Sequence, residues 1–500
     1  MISPALRRFA DAPSSVKMVF VATNADLSIA IDALGVVAED RDSFVIFAPG
    51  DALFDPGFTG LVYAAADMRP DVDIFYGDDV ALVDASTDLR LKPSFNPALL
   101  SAQDHIGAPL IVRGSALARL GGVRPEAGTA ALYDLVLRAA DQGLGIDAIR
   151  EVLIAYPGPR PEPTTPDRLA ALQAHLARSG YQADILPGLT PTSSRVRRRF
   201  SPHPDVTLLI GTRQAARPGE RAHIVTLLDS LVHSTWPSEH LRVLIADDVV
   251  DDAIYGDLGR YPFDIGRLLT PRGPSESFNY AAKMNTLWRA AATEHLVLMN
   301  DDLEVISADW LEALLTFAVE EDVGGVGARL LYPDGSLQHA GMIGGLFGVF
   351  AHPWIGQSAE QPTYGDWALV QRDWSAVTGA VFATRRHVLE AVNGFDELFA
   401  LEYNDVDLCL RLKLLGYRIV QAPDALLTHH EKSSRGEAPP PGSQTAMFLH
   451  RWAQVLADDP AYHPDLTRDS FAPNPQPVFE AWYDTAKASL ISPDPRPRSL

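Results

Sequence analysis

The stretch LEYNDVDLCLRLKLLG, residues 401–416, gathers Glu402, Asp405 and Asp407 at the mouth of an apolar run closed by a glycine. A second polar group stands upstream in LVLMNDDLEV, where Asn300 and Asp302 form an N-x-D arrangement at the end of a strand-like run. Alternate side chains of a strand point the same way, so this pair can share one hard cation, Mg2+ or Mn2+, of the kind that bridges diphosphate oxygens. Asp247 and Asp248 end an earlier apolar run, LRVLIADD, and THHEKSSRG at 428–436 supplies His429 and His430 as candidate nitrogen ligands. Each group also has an ordinary reading. Asn404 or Asp405 can cap a helix whose apolar positions Val406, Cys409, Leu410 and Leu414 repeat near 3.6, and carboxylates there suit the positive end of the helix dipole. Acid pairs in strand-to-helix loops are common, and a lone histidine is more often a structural surface residue.

The elements around these residues explain why they could meet. DVTLLIGTR, LRVLIADD and EHLVLMNDDLEV are apolar runs of strand length, separated by the helical patterns ERAHIVTLLDSLVHS and ESFNYAAKMNTLWRAAAT. Such alternation predicts an α/β layer with a mostly parallel sheet, in which ligands sit beyond the carboxyl ends of the strands. An earlier block, residues 1–158, alternates in the same way. Between the two, 159–204 is rich in proline and polar residues and reads as a linker with one helix, LAALQAHLARSG. The second block spans 205–440, and 441–500 reads as a helical packing extension with a proline-rich tail and no chemistry of its own.

The two blocks share more than a pattern. DLVLRAADQG at 134–143 matches DLCLRLKLLG at 407–416 with the same Asp, Arg and Gly spacing. At the same offset EVLIAY, 151–156, lies over DALLTH, 424–429, and after a one-residue indel Arg113 and Gly122 lie over Arg385 and Gly394. Collinear matches of this kind argue for a duplicated domain.

Composition narrows the function class. The chain has 500 residues, 47% of them hydrophobic, with a formal net charge of −22, which argues against a nucleic-acid-binding surface. The basic cluster RVRRRF at 195–200 reads either as a solvated linker or as a contact for anionic lipid head groups. Cys409 is the only cysteine, so an intrachain disulfide is excluded and a reducing compartment fits. The start, MISPALRRFADAPSS, lacks the apolar core of a signal peptide, and the nearest approach to a membrane span is MIGGLFGVF at 342–350. A cytoplasmic protein is expected, with peripheral association at the inner face of the membrane if the basic cluster is used.

With these residues in place, the second block resembles a family 2 glycosyltransferase of the GT-A fold, of the bacterial type that builds rhamnose-containing, O-antigen or capsule polysaccharides. The matching pieces, in family order over 206–436, are VTLLIGTR, LIADD, SFNYAAKMN, VLMNDDLEV, DGSLQHAG, VTGAVFATRR, NGFDELFALEYNDVDLCLRLKLLGYRI and THHEKSSRG. The resemblance implies an inverting transfer of a sugar from a nucleoside diphosphate to an acceptor hydroxyl. It places Thr212, Arg213, Asp247, Asn279, Asn300 and Asp301 on the donor, with Asp247 at the base, and Asp302 and His429 on the metal. Asp405 is implied to be the base that deprotonates the acceptor. Asn404 departs from the usual acidic neighbour, and LIADDVV departs from the usual glycine and hydroxyl after the aspartate. Such a displacement needs a cation to neutralise the leaving phosphates and a carboxylate on the opposite side. Glu402 and Trp374 are expected at the acceptor, Trp374 by stacking on a sugar face unless it is core.

By the same resemblance the donor is dTDP-rhamnose or a UDP- or GDP-sugar, the acceptor a glycan or lipid-linked oligosaccharide, and other polysaccharide-assembly enzymes are candidate partners. The first block carries DIFYGDDV and RLKPSFNPALL, which also resemble family segments, but Leu132 stands for Asp405, Tyr156 for His429, and Asp51 alone survives in FAPGDALF. It reads as a degenerate GT-A-like copy. Two other classes are open: a glycan-binding protein without turnover, and a receiver-type signalling domain suggested by the acid-ended runs.

Overall fold

The computed structural model describes residues 18–23, 43–83, 86–160, 162, 165–217, 219–271, 277–430, 443–476 and 482. Two compact units emerge, residues 182–474 and residues 1–181 together with 475–500.

The 182–474 unit is an α/β layer built on a ten-stranded sheet. Asp264–Leu269, Leu241–Asp247, Val206–Thr212 and His295–Asn300 lie side by side and parallel. The inner runs LLI, VLIA and LVLM are almost unbroken in apolar residues because helices cover both faces of a parallel sheet. Register sets the strand ends together: Thr212 pairs with Asp247, and Gly211 with Asn300. The sheet then turns antiparallel at Val381–Arg385 and continues through Val323–Leu331 and Arg418–His429 to the short Leu303–Val305 strand. In that last pairing Leu303 lies opposite His429, which brings the histidine beside Asp302 although the chain separates them widely.

The first unit has a seven-stranded sheet running Met18–Ala22, Phe44–Ala48, Leu110–Arg113, Val72–Val83, Gly145–Pro157, Leu53–Phe54. From Val206–Thr212 onward the second unit repeats this order with the same strand senses. The registers agree as well: Phe44 opposes Arg113 as His295 opposes Arg385, and Phe54 opposes Ile154 as Val305 opposes Leu427. Counting along those strands, Asp51 stands for Asp302 and Tyr156 for His429. The units differ between their first two shared strands. Residues 23–43 make that connection in one, whereas in the other residues 213–294 make it and contribute Leu241–Asp247 and Asp264–Leu269.

The stretch 159–204 differs from a linker with one helix. Its helix, Thr165–Arg178, packs within the first unit, where Arg168 donates to the Ala102 carbonyl (2.9 Å) and Asp167 accepts from the Thr129 amide (2.8 Å). The hairpin Ala183–Pro187 and Ser194–Arg198 belongs to the second unit. Within RVRRRF, Arg195 pairs with Asp424, Arg197 with Asp309 and Asp424, and Arg199 with Asp184. These carboxylates pair three of the four arginines, and the Ser194–Arg198 strand is part of the second unit rather than a solvated linker. MIGGLFGVF forms the Ile343–Leu346 and Val349–Ala351 hairpin, and among the described residues no helix is long and apolar enough to cross a membrane. The helices Ser443–Arg451 and Ala453–Ala457 complete the second unit's core, with Phe448 and Trp452 buried among Phe399, Val406 and Cys409.

Candidate active site

The parallel strand ends form one polar floor. Thr212 Oγ1 donates to Asp301 Oδ2 (2.6 Å). Lys283, from the Tyr280–Ala290 helix, reaches the Thr212 carbonyl (2.8 Å) and Asp248 Oδ1 (2.6 Å). Gly211 permits that reach, since a Cβ there would stand 2.8 Å from the Lys283 chain. Burial pushes the Asp301 carboxyl up to about 6, with the charge of Asp302 adding to it and the Thr212 hydroxyl opposing.

Asp302 faces His429 across 3.1 Å, Oδ1 to Nε2, and Asn300 Nδ2 lies 3.3 Å from the same ring nitrogen. On the far side His429 Nδ1 is 2.7 Å from Gln338 Oε1, while Gln338 Nε2 donates to the His429 carbonyl (3.4 Å). This places the amide oxygen toward the ring, so Nδ1 carries a proton and Nε2 is turned to the carboxylate. A carboxylate oxygen and an imidazole nitrogen side by side are ligand types that a divalent cation takes, and outer hydrogen bonds of this kind fix a ligating imidazole. Burial raises the Asp302 carboxyl but His429 outweighs it, leaving the group below its ordinary value. The His430 ring instead lies 3.5 Å from Glu304 and stacks near His223, while its amide donates to the Asp302 carbonyl (2.9 Å). Among the described residues no three His, Cys, Asp or Glu side chains converge, so Asp302 and His429 are the residues that would hold a metal, leaving most of its coordination to other ligands.

Asp405 joins this floor through two residues. Its Oδ2 accepts from the Gly379 amide (2.8 Å), and the adjoining Ala380 carbonyl accepts from the Asn300 amide (3.0 Å). A Cβ at Gly379 would stand 3.1 Å from the Asp405 Cβ, a tight contact that would press Asp405 away by a few tenths of an ångström. Asp405 also accepts from the Val406 amide (2.8 Å) in the first turn of the Asn404–Leu414 helix. Asp407 Oδ2 bonds Arg411 Nε (2.7 Å), and that arginine continues to the carbonyls of Val392 and Gly394.

Three expected contacts take other roles. Asp247 is wholly buried; Oδ2 accepts from Tyr255 Oη (2.7 Å), Gln214 Nε2 (2.9 Å) and Arg267 Nε (2.9 Å), and Oδ1 from the Val249 amide. It scaffolds the strand end, and a base contact is closed to it. Asn279 caps the Tyr280–Ala290 helix, accepting from the Ala282 amide (2.9 Å) and donating to the Glu397 carbonyl (2.9 Å). Trp374 is 0% exposed with Arg372 4.0 Å from its ring centre, so it is core and presents no face to a sugar. Arg213 lies exposed past the Val206–Thr212 strand, and Glu402 accepts from Thr445 Oγ1 (3.2 Å).

Lys283, Gln338 and Gly379 escaped the sequence reading. Gln338 had a signal of sorts, its place in DGSLQHAG, but nothing local tied it to a histidine 91 positions on.

Comparison with known proteins bears on these residues. The chain is 30% identical over 485 residues to the uncharacterized protein y4gI of Sinorhizobium fredii, covering 92% of this chain and 52% of that one. It is 30% identical over 480 residues to the O-antigen biosynthesis protein RfbC of Myxococcus xanthus, covering 92% of this chain and 36% of that one. The chain thus spans about half or less of the length of these curated relatives. A solved structure, the mannosyltransferase PcManGT from Pyrobaculum calidifontis with GDP-Man and Mn2+, aligns at 16% identity over 65% of this chain and 72% of that one, with a TM-score of 0.33, too slight a likeness to carry an argument. The profile described as glycosyltransferase like family 2 matches residues 203–452, half of the chain, containing both the Asp302–His429 pair and Asp405 and extending well past a receiver domain. The α/β layer of the second unit therefore belongs to glycosyltransferase family 2, and so does the chain.

Proposed function

We propose that the second unit moves a sugar from a nucleoside-diphosphate donor to a hydroxyl of a growing cell-surface polysaccharide or glycolipid, with inversion at the anomeric carbon. The observation that supports this reading is the Gly379–Ala380 bridge, which ties a solvent-reaching carboxylate, Asp405, to the Asn300–Asp302 strand end. One displacement needs both at once. Asp302 and His429 would hold Mn2+ or Mg2+, which when bound would neutralise charge on the leaving diphosphate. Thr212, Arg213, Asn300 and Asp301 line the donor side. Asp405, half-buried and held by the Gly379 amide on Oδ2 and the Val406 amide on Oδ1, accepts the proton of the acceptor hydroxyl as that oxygen attacks. Glu402 stands on the acceptor side. The name of the Myxococcus relative favours an O-antigen-like acceptor. For the donor we favour dTDP-rhamnose, then UDP- and GDP-sugars, and for the location the cytoplasm.

In this reading the first unit is a degenerate copy that supports the active one or holds acceptor glycan. Tyr156, standing for His429, donates to Asp79 Oδ1 (2.8 Å), an oxygen that also meets Arg160, while Oδ2 of the same carboxylate pairs with Lys92. A buried ion cluster thus fills the place of a metal ligand.

The test is release of nucleoside diphosphate from a panel of UDP-, GDP- and dTDP-sugars with Mn2+ by the full chain. Asp405→Asn should cost about 10²-fold or more in turnover, the scale of a lost general base. Retained turnover in that variant would sink the assignment, as would its loss in a folded Asp51→Ala or Asp78→Ala protein while Asp405→Ala remained active.

A further inference from the structure

The segment after residue 440, which sequence assigned to packing, touches the loop that carries Glu402 and Asp405. Gln444, near the start of the Ser443–Arg451 helix, offers Oε1 to two successive amides, Leu401 (3.3 Å) and Glu402 (3.4 Å). Thr445 Oγ1 donates to Glu402 Oε2 (3.2 Å). One turn on, Phe448 lies flat on Tyr403, ring centres 4.3 Å apart and planes 12° from parallel. At the far end Arg451 reaches Asp396 (2.7 Å) and Asp407 (2.9 Å), and Trp452 Nε1 also reaches Asp407 (3.0 Å). Gln444, Thr445, Phe448 and Arg451 of this helix, with Trp452 just past its end, therefore bracket residues 396–407.

Tyr403 shows what this contact sustains. Its backbone is left-handed, φ 60° and ψ 8°, a conformation that residues with a Cβ adopt only when their surroundings impose it. The left-handed turn redirects the chain so that Asn404 begins the helix and Asp405 points at Gly379. The ring of Phe448 beneath it and the amide of Gln444 behind it brace that turn, alongside the Asp407 amide on the Tyr403 carbonyl (2.8 Å) and Thr445 on Glu402.

We infer that Gln444 and Phe448 are positioning residues for the acceptor base, and that the Ser443–Arg451 helix is the clamp that holds Glu402 and Asp405 at their working geometry. The inference rests on the reading of Asp405 as the base. It makes a separable claim: loosening the clamp lowers turnover and leaves the metal and donor side alone, because Asp302, His429 and Thr212 are held by other elements.

The experiment uses the full chain with Phe448→Leu, Gln444→Ala and the conservative Phe448→Tyr, alongside Asp405→Asn. Amide hydrogen exchange is followed over 399–406, and turnover with the sugar nucleotide of the panel that the parent protein consumes, with Mn2+. Phe448→Leu and Gln444→Ala should exchange faster at 401–403 and lose about 10-fold or more in kcat, the order expected of a misplaced catalytic group. Donor KM and Mn2+ affinity, read by electron paramagnetic resonance, should stay within about twofold, and Phe448→Tyr should retain the parent rate. Unchanged exchange at 401–403 in either disruptive variant overturns the inference, whether or not turnover is measurable. So does a parallel loss of Mn2+ affinity, which marks general loosening. If instead Asp405→Asn turns over normally, the reading of the base fails; exchange then still reports on the clamp itself.

Discussion

Arg411 closes on Asp407 with Nε 2.7 Å from Oδ2, and its two remaining nitrogens cap the Val392 and Gly394 carbonyls at 2.9 and 2.8 Å. Arg138 does the same in the first unit: Nε to Asp134 at 2.8 Å, then the Leu120 and Gly122 carbonyls at 2.6 and 2.9 Å. Both arginines thus tie the helix to the turn before it, a structural task that does not depend on the chemistry. Arg411→Ala should cost about 2 kcal/mol, less than the ~3–5 kcal/mol of an unpaired buried charge because Arg451 and Trp452 still serve Asp407. Urea unfolding measures it, and unchanged stability would contradict the structural role.

Gln338 should set the metal affinity of the second unit. Gln338→Leu removes the acceptor that keeps the proton on His429 Nδ1, and loss of such an outer hydrogen bond typically weakens metal binding about 10- to 100-fold. Titration with Mn2+ alone, followed by electron paramagnetic resonance of the free ion, reads this without substrate. Equal affinity in the two proteins would show that the ring needs no such support.

Gly379→Ala should separate the base from the donor side. The added methyl carbon stands 3.1 Å from the Asp405 Cβ and forces the carboxylate outward by a few tenths of an ångström. Turnover should fall about 10-fold while donor KM holds, since misplacement of a reacting group acts on the chemical step. A rise in KM with kcat intact would place Gly379 on the donor side instead.

The first unit should show an acid limb that traces to Asp79. Burial raises this carboxyl, but Lys92 and Arg160 outweigh it and leave the group below its ordinary value of 3.8. A carboxylate depressed in the folded state adds stability above its ordinary pKa and loses it as pH falls through the folded one. Asp79→Asn, which leaves Lys92 buried without its counter-ion, should therefore cost about 3–5 kcal/mol near pH 7, and the gap to the parent protein should shrink below about pH 4. A gap that stays constant down to pH 3 would mean that the pairing is not what stabilises the charge.

Local signals carried the fold's main lines. Apolar runs ending in acids gave the parallel strands and their ends, and the repeat DLVLRAADQG over DLCLRLKLLG gave the Arg138 and Arg411 equivalence. Where a residue's role depends on a partner far along the chain, sequence was ambiguous. RVRRRF looked solvated because Asp309 and Asp424, which pair with its Arg197, lie more than a hundred positions away. Asn279 was assigned to the donor although an asparagine before a helix is a capping signal on its own, and here the local preference won. Trp374 was ambiguous for another reason: alternation along a strand cannot tell a ligand-facing side from one covered by further core, and Trp367, Trp354 and Arg372 cover it.

The tyrosine that occupies the position of His429 ties the first unit to one arrangement of charge. Tyr156, Asp79, Lys92 and Arg160 are bonded as a set, three of them buried. Returning position 156 to histidine would set an imidazole against Asp79 while Arg160 and Lys92 still claim the same carboxylate, and removing any one of those charges first strands another. Any single change at one of these four residues therefore leaves another group short of its partner, so the first unit accommodates substitution here only in concert.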